Sequence, residues 1–293
     1  MARTDLAPML RSGLAIAHRG NGRIQIGCDP DRGMVVDLPP TIRSEDFVAF
    51  LRFLASPRRD SEIAAEAARI GLSDNDVSVL VHRLRQADAL CLREPDRGLR
   101  VRVHGRGPLA ARMTTLLRDA GMAVAESTQR PRVAQVEGGA PLPGWTSDLV
   151  VLTDFLAHDP AILAGLMMRR IPHLPVRLRD GTGLVGPLVL PGLSSCLRCV
   201  DHHRADRDPG WPLVAGQIIG QTGHASTATM TATSALAMEQ VEQIASGLRA
   251  LTDGTARTSP QTVDHTLEYL PQPARLRVRR WTPHPLCSCL FRR

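Results

Sequence analysis

Between Arg23 and Leu38 apolar and polar residues alternate. Ile24 and Ile26 share one face of an extended segment, Asp29-Pro30-Asp31-Arg32-Gly33 supplies turn chemistry, and Met34 to Leu38 forms a second extended run. This is the pattern of a β-hairpin. The apolar period then lengthens to that of a helix. In SEDFVAFLRFLAS, Phe47, Phe50, Leu51 and Leu54 fall on one face, with Ser44 placed as an N-cap. DSEIAAEAARIG reads as a second helix ended by Gly71, and SDNDVSVLVHRLRQADAL as a third, with Val77, Leu80, Val81 and Leu84 at helical spacing. Two strands and three helices, the last two joined by a tight turn, predict a winged-helix-like domain within residues 1–95. Such a domain reads DNA through its last helix or takes a peptide along its sheet edge, and the pattern alone leaves both open.

The character changes at Arg100. LRVRVHGRGPLAARMTTLLRDAGMAVAE predicts a strand, a glycine turn, a helix and a second strand. Gly105-x-Gly107-x-x-Ala110 fits the dinucleotide fingerprint, and Glu126 falls where a ribose-binding acid is expected. The glycines permit a tight turn and close approach of backbone to phosphate at a helix N-terminus. Two neighbours oppose tight phosphate binding: Pro108 removes an N–H from the turn, and Arg106 is bulky at its centre, although it also carries charge. The reading is a Rossmann-like half kept as scaffold, with Gly105, Gly107 and Glu126 a vestigial or weak nucleotide site. DLVVLTD (148–154) is a continuous apolar run of the buried parallel-strand kind. A helix and a strand from near Pro175 follow, and then a glycine- and proline-punctuated segment leads to Cys196. Residues 213–251 are expected to be mostly helix, rich in small residues at the centre, where Ala225, Ala228 and Ala232 would allow close helix packing, within the fold or against a second subunit. TVDHTLEYL and RLRVRRW predict an antiparallel strand pair. The fold class is therefore α/β: a winged-helix-like domain, then a Rossmann-like domain over residues 96–293.

Composition changes this picture in two ways. The 293 residues contain no lysine, so every one of the 36 basic side chains is an arginine and no catalytic lysine is available. The net charge of +7 suits an acidic partner, whether nucleic acid or peptide. A charged N-terminus without a following apolar run predicts no secretory signal, and no segment approaches the roughly 18 apolar residues of a membrane span. The expectation is a cytoplasmic protein without membrane contact, in which cysteines serve as metal ligands or thiols before disulfides.

Four cysteines form two close pairs, Cys196-x-x-Cys199 and Cys287-x-Cys289. Tetrahedral zinc is bound by four such ligands, and all-thiolate ligation leaves no open position, so the metal would be structural. A redox Cys-x-x-Cys is the competing reading, disfavoured because Cys196 follows a Gly-Leu-Ser-Ser turn instead of opening a helix within a βαβ unit. On the zinc reading the charged block after Cys199 is a surface loop. His202, His203 and His284 are alternative ligands for one position. Cys28 and Cys91 stand apart as small apolar residues.

Taken together, the winged-helix-like N-terminus, the GxGxxA half, the CxxC pair and a terminal HPxCxC form a constellation. It resembles the ThiF-like, ubiquitin-activating-enzyme-like proteins that accompany YcaO cyclodehydratases in making azole- and azoline-containing peptides. The stand-alone leader-peptide-binding members are most alike, and the segments RDGTGLVGPLVLPGLSSCLRCVDHHRADRDPGWP and LRVRRWTPHPLCSC carry the likeness. The resemblance implies that a precursor's leader adds as a strand to the edge Met34, Val35, Val36 and Asp37. The helix from Asp76 to Ala87 would form the groove wall, through Val79, His82, Arg83 and Gln86, with Arg83 and Arg85 meeting an acidic leader. It further implies a YcaO-type cyclodehydratase partner and a homodimer.

Activating members of the superfamily adenylate a carboxylate with ATP, using arginine and lysine. Without lysine, and without an Asn-Arg-Gln element in STQRPRVAQ (127–135), the chain is expected to bind no ATP and to be non-catalytic. The alternative is an ATP-dependent adenylating enzyme acting on a peptide or protein carboxylate, with Asp154 and Arg106 in its site. A DNA-binding regulator is a third reading, disfavoured by Asp76 and Asp88 in the third helix.

Overall fold

The computed structural model describes residues 9–91, 98–128, 145–252 and 259–289. The chain divides into two compact units, Met1–Asp96 and Arg97–Arg293. In the first, strand β1 (Met9–Leu10) precedes a three-stranded antiparallel sheet of β2 (Ile16–His18), β3 (Arg23–Ile26) and β4 (Met34–Asp37), in that order. The β3–β4 hairpin runs in register from Arg23 opposite Asp37 to Ile26 opposite Met34. Its third strand, β2, is too short to leave an alternating signature in the sequence. Helices α1 (Ser44–Phe53), α2 (Asp60–Arg69) and α3 (Asp74–Gln86) follow, and β5 (Leu90–Cys91) returns to pair with β1. Ile24, Phe47, Phe50, Leu51 and Leu84 are fully buried and form the core of this unit. Ser44 is the first helical residue and not the cap. Arg43 holds the cap position and its Nε donates to Asp46 Oδ2 at 2.8 Å, while Ser73 caps α3 with reciprocal bonds to Asp76.

The second unit is a seven-stranded mixed sheet with helices on both faces, an α/β arrangement consistent with a Rossmann-like fold. Its elements in chain order are β6 (Arg100–His104), α4 (Pro108–Asp119), β7 (Ala123–Ser127), β8 (Leu149–Thr153), α5 (Pro160–Met168) and β9 (His173–Arg179). There follow β10 (Thr182–Val185), α6 (Leu197–Ala205), α7 (Trp211–Gln217), α8 (Thr227–Thr252), β11 (His265–Pro271) and β12 (Ala274–Arg280). The sheet order is β12-β11-β10-β9-β8-β6-β7. The pairs from β7 to β9 are parallel and those from β9 to β12 antiparallel. All five residues of β8 are buried, as its apolar run predicts. Leu149 and Val151 join the core under α4 and α8, and Val150 and Leu152 join a second cluster with α5 and the cysteines.

Residues 213–251 are mostly helical, as expected, but in two helices, α7 and α8, separated by a non-helical stretch at 218–226. The backbone there bonds the loop after β8: Leu156 N–H donates to Gln221 O, Gly220 N–H to Ala157 O, and Gly223 N–H to Asp154 O. Satisfying those groups across the fold replaces the helical bonds. Of the three alanines, Ala225 packs partly buried against the core and Ala228 is exposed, while the closest approach of α8 to β10 is made by Thr233, whose Oγ1 would lie 1.8 Å from a Cβ placed on Gly183.

Candidate functional site

Strand β4 is an edge strand, bonded only to β3. Leu38 N–H donates inward to Gly22 O, and backbone direction alternates along a strand, so Val35 and Asp37 turn their N–H and C=O groups to the open edge. Met34 is buried, Val35 and Val36 are half-buried, and Asp37 is exposed. Val79, His82, Arg83 and Gln86 all lie on the exposed face of α3, opposite the buried Leu80 and Leu84, while Val77 and Val81 are half-buried between the two faces. One bond joins edge and helix: Arg83 Nη2 donates to Val35 O at 2.8 Å. The outward carbonyl of Val35 is thus already paired with a guanidinium from α3.

The glycine loop between β6 and α4 has the geometry of an anion site, filled from within the protein. Gly107 N–H donates to Asp154 Oδ2 at 3.0 Å, Leu109 N–H to Oδ1 at 3.1 Å, and Ala110 N–H to Oδ2 at 3.2 Å. A Cβ on Gly105 would meet Thr153 Oγ1 at 1.9 Å, and one on Gly107 would meet Asp154 Oδ1 at 2.4 Å. Both glycines therefore make room for the Thr153-Asp154 turn. Asp154 is buried and holds a φ of +67°, a conformation seldom taken by non-glycine residues. Its carboxylate takes the place a phosphate takes on such loops. Glu126, on β7, accepts from Arg118 Nη2 at 2.8 Å, and Arg106 is exposed. Of STQRPRVAQ, residues 129–135 lie outside the described residues.

Cys196, Cys199, Cys287 and Cys289 are buried, with their four Sγ atoms within 4.8 Å of one another. Cys196 and Cys199 are 3.8 Å apart, Cys196 and Cys287 3.6 Å, and Cys199 and Cys289 3.4 Å. A tetrahedron of sulfurs at about 2.3 Å from zinc has edges near 3.8 Å, so the cluster is compatible with a structural metal. The hydrogen bond from Cys196, with backbone N–H groups of His284 and Cys196, lowers the Cys199 thiol to about 4. The same shared proton raises Cys196, and burial followed by the neighbouring Cys199 pushes Cys289 up to about 12. Burial and the neighbouring thiols thus resist ionisation of Cys196 and Cys289, and a divalent cation would offset both.

Cys196 does open a helix, as the N-cap of α6, but α6 lies between the antiparallel strands β10 and β11 and not in a βαβ unit. The surface-loop expectation is corrected, since Leu197–Ala205 is helical. What separates this pair from a redox motif is the second pair against it. Ser195 N–H and Oγ–H both donate to Asp264 Oδ1 at 2.7 Å, which anchors the first pair beside β11.

The three histidines stand outside the sulfur cluster. His284 Nδ1 accepts from Leu286 N–H at 3.2 Å, so its Nε2–H donates to Asp206 Oδ2 at 2.9 Å. His203 Nε2–H donates to Thr282 O at 2.8 Å. These bonds lace α6 to the chain around the second cysteine pair. Of the remaining cysteines, Cys91 is half-buried, while Cys28 is exposed and not packed in a core.

The mixed sheet and the glycine loop are consistent with a Rossmann-like, ThiF-like fold. Among solved structures, a heterocyclase in complex with substrate and cofactor matches 98% of this chain with a TM-score of 0.63 and 14% identity. The heterocyclase TruD matches 97% with a TM-score of 0.62 and 16% identity. The chain spans only 40% and 43% of those two chains. E. coli MccB, in a structure with MccA, matches over 97% of this chain and 99% of its own, with a TM-score of 0.54 and 11% identity. No family model and no curated protein matches the sequence. Among the described residues, no helix is long and apolar enough to cross a membrane.

Proposed function

We propose that this protein is a non-catalytic peptide-recognition partner of a YcaO-type cyclodehydratase. It binds the leader of a ribosomal precursor peptide and presents the core for azoline formation. The observation that carries the reading is the open edge of β4 lying one hydrogen bond from the exposed α3 stripe. An extended leader pairs with the outward groups of Val35 and Asp37, displaces Arg83 from Val35 O, and frees that guanidinium for an acidic leader side chain. Main-chain bonds supply affinity, and Val79, His82 and Gln86 supply selectivity.

The Asp154 carboxylate supports the non-catalytic half of the proposal. An ATP phosphate at the loop would have to expel a buried acceptor of three N–H bonds, with no lysine to assist. On this reading the winged-helix-like unit recognises peptide, and the ThiF-like unit is its scaffold. Zinc on the four cysteines fastens the start of α6 to the chain after β12. The working protein is a cytoplasmic homodimer that contacts neither membrane nor nucleic acid.

Reconstitution tests the division of labour. Cyclodehydration of a precursor peptide by a YcaO-type cyclodehydratase supplied as the partner is expected to require the chain, while the chain alone catalyses no ATP–pyrophosphate exchange. Exchange by the chain alone, dependent on a peptide carboxylate, would favour the adenylating alternative.

A further inference from the structure

Arg177 and Arg179 on β9 alternate with Val176 and Leu178, which pack in the core under α8, so both guanidiniums project from the opposite sheet face. There Arg279 and Trp281 at the end of β12, Arg204 on α6 and Trp211 on α7 close around them a cavity of about 240 Å³. Arg207 also lines it, so five guanidiniums face two carboxylates, Glu268 and Asp208. Both acids are engaged. Glu268 is bridged by Arg277 and by Arg279 Nε at 2.8 Å, and Asp208 Oδ1 accepts from Gly210 N–H at 2.9 Å.

Arg177 is the least compensated of the set. It is 6% exposed, its one side-chain bond is Nη1 to Leu156 O at 3.2 Å, and its Nε has no partner among the described residues. Burial, followed by the charges of Arg204 and Arg179, pushes its pKa down to about 9. Arg204 lies 4.8 Å from the Trp211 ring and 5.9 Å from the Trp281 ring, with Asp201 at 3.4 Å. The rings lie within cation–π reach of that guanidinium, and Asp201 is its one carboxylate partner among the described residues. A buried cation short of acceptors is costly, and a bound anion removes the cost.

We propose that this cavity is an oxyanion-binding site, in which Arg177, with Arg179 and Arg204, receives a carboxylate or phosphoryl group. Guanidinium forks match the paired oxygens of both groups. The site lies at the β9–β12 side of the sheet and shares no residue with the glycine loop or with the β4 edge.

Isothermal titration of the full chain at constant ionic strength tests this, with inorganic phosphate, pyrophosphate and N-acetylglutamate as separate ligands. Saturable binding of at least one is expected at about one per chain, and the responding ligand tells a phosphoryl source from a peptide carboxylate. Arg177→Met and Arg179→Ala are each expected to weaken it roughly tenfold or more. Exposed Arg32→Ala is expected to bind as the parent does. If Arg177→Met does not fold, Arg179→Ala carries the test, being more exposed and less committed to the core. Absence of saturable binding for all three ligands up to about 20 mM, or binding kept within about twofold in the folded variants, overturns the proposal.

Discussion

Asp154 contributes through its position as much as its charge. Its carboxylate gathers three N–H groups of the α4 N-terminus while its backbone sits at a φ of +67°. Asp154→Ala leaves those donors buried without an acceptor, which is expected to cost roughly 2–4 kcal/mol in urea denaturation. Leader binding is expected to be unchanged. This role could not be read from the sequence. The fingerprint glycines Gly105 and Gly107 lie 49 and 47 residues before Asp154, and nothing local tells a glycine that admits phosphate from one that admits a neighbouring carboxylate. Buried imidazoles give a second residue-scale prediction. Burial holds His173, and His104 together with the nearby Arg102 charge, down to about 4. Because their folded pKa values lie below the ordinary histidine value, the unfolded chain takes up protons first. Stability from these groups is full above about 6.5 and falls progressively as pH drops towards 4. His173→Gln is expected to flatten the fall in unfolding free energy between pH 7 and 5 relative to the parent. An identical slope would mean that His173 contributes nothing to it.

The elements of the first unit are written locally. Alternation at Ile24 and Ile26, helical spacing at Phe47, Phe50 and Leu51, and the Ser73–Asp76 cap each fix a strand or helix within a few residues. The second unit is less legible where tertiary contacts overrule local pattern. β10 is hidden in a glycine- and proline-rich segment because Gly183 serves the approach of α8 rather than strand propensity. The helix break at 218–226 is set by bonds to the loop after β8, which no periodicity reports. Gly183→Ala is expected to destabilise the fold by roughly 1–3 kcal/mol through overpacking, with most of the loss recovered in the Gly183→Ala/Thr233→Ala pair. Additive losses in the thermal melts of that double-mutant cycle would contradict the direct contact.

At the scale of the whole molecule, the two cysteine pairs were legible because metal ligands keep their spacing, and 91 residues separate Cys196 from Cys287. The structure adds that the four sulfurs converge in a buried cluster beside α6. Purified protein is expected to hold about one zinc per chain, and Cys199→Ser to lose both the metal and cooperative unfolding. Retention of metal and fold in that variant would contradict a structural zinc. The likeness to heterocyclase chains more than twice as long, and to MccB along nearly its whole length, gives the fold but not the partner. The account therefore rests most heavily on the β4 edge. Its most direct test is fluorescence polarisation with labelled leader segments of candidate precursor peptides from the same genome, comparing the parent chain with Val35→Pro and Asp154→Ala. Val35→Pro removes one outward N–H of the edge and leaves the β3 ladder intact. The account predicts saturable binding by the parent and Asp154→Ala, weakened roughly tenfold or more in Val35→Pro. No binding by the parent, or equal binding by Val35→Pro, would contradict it.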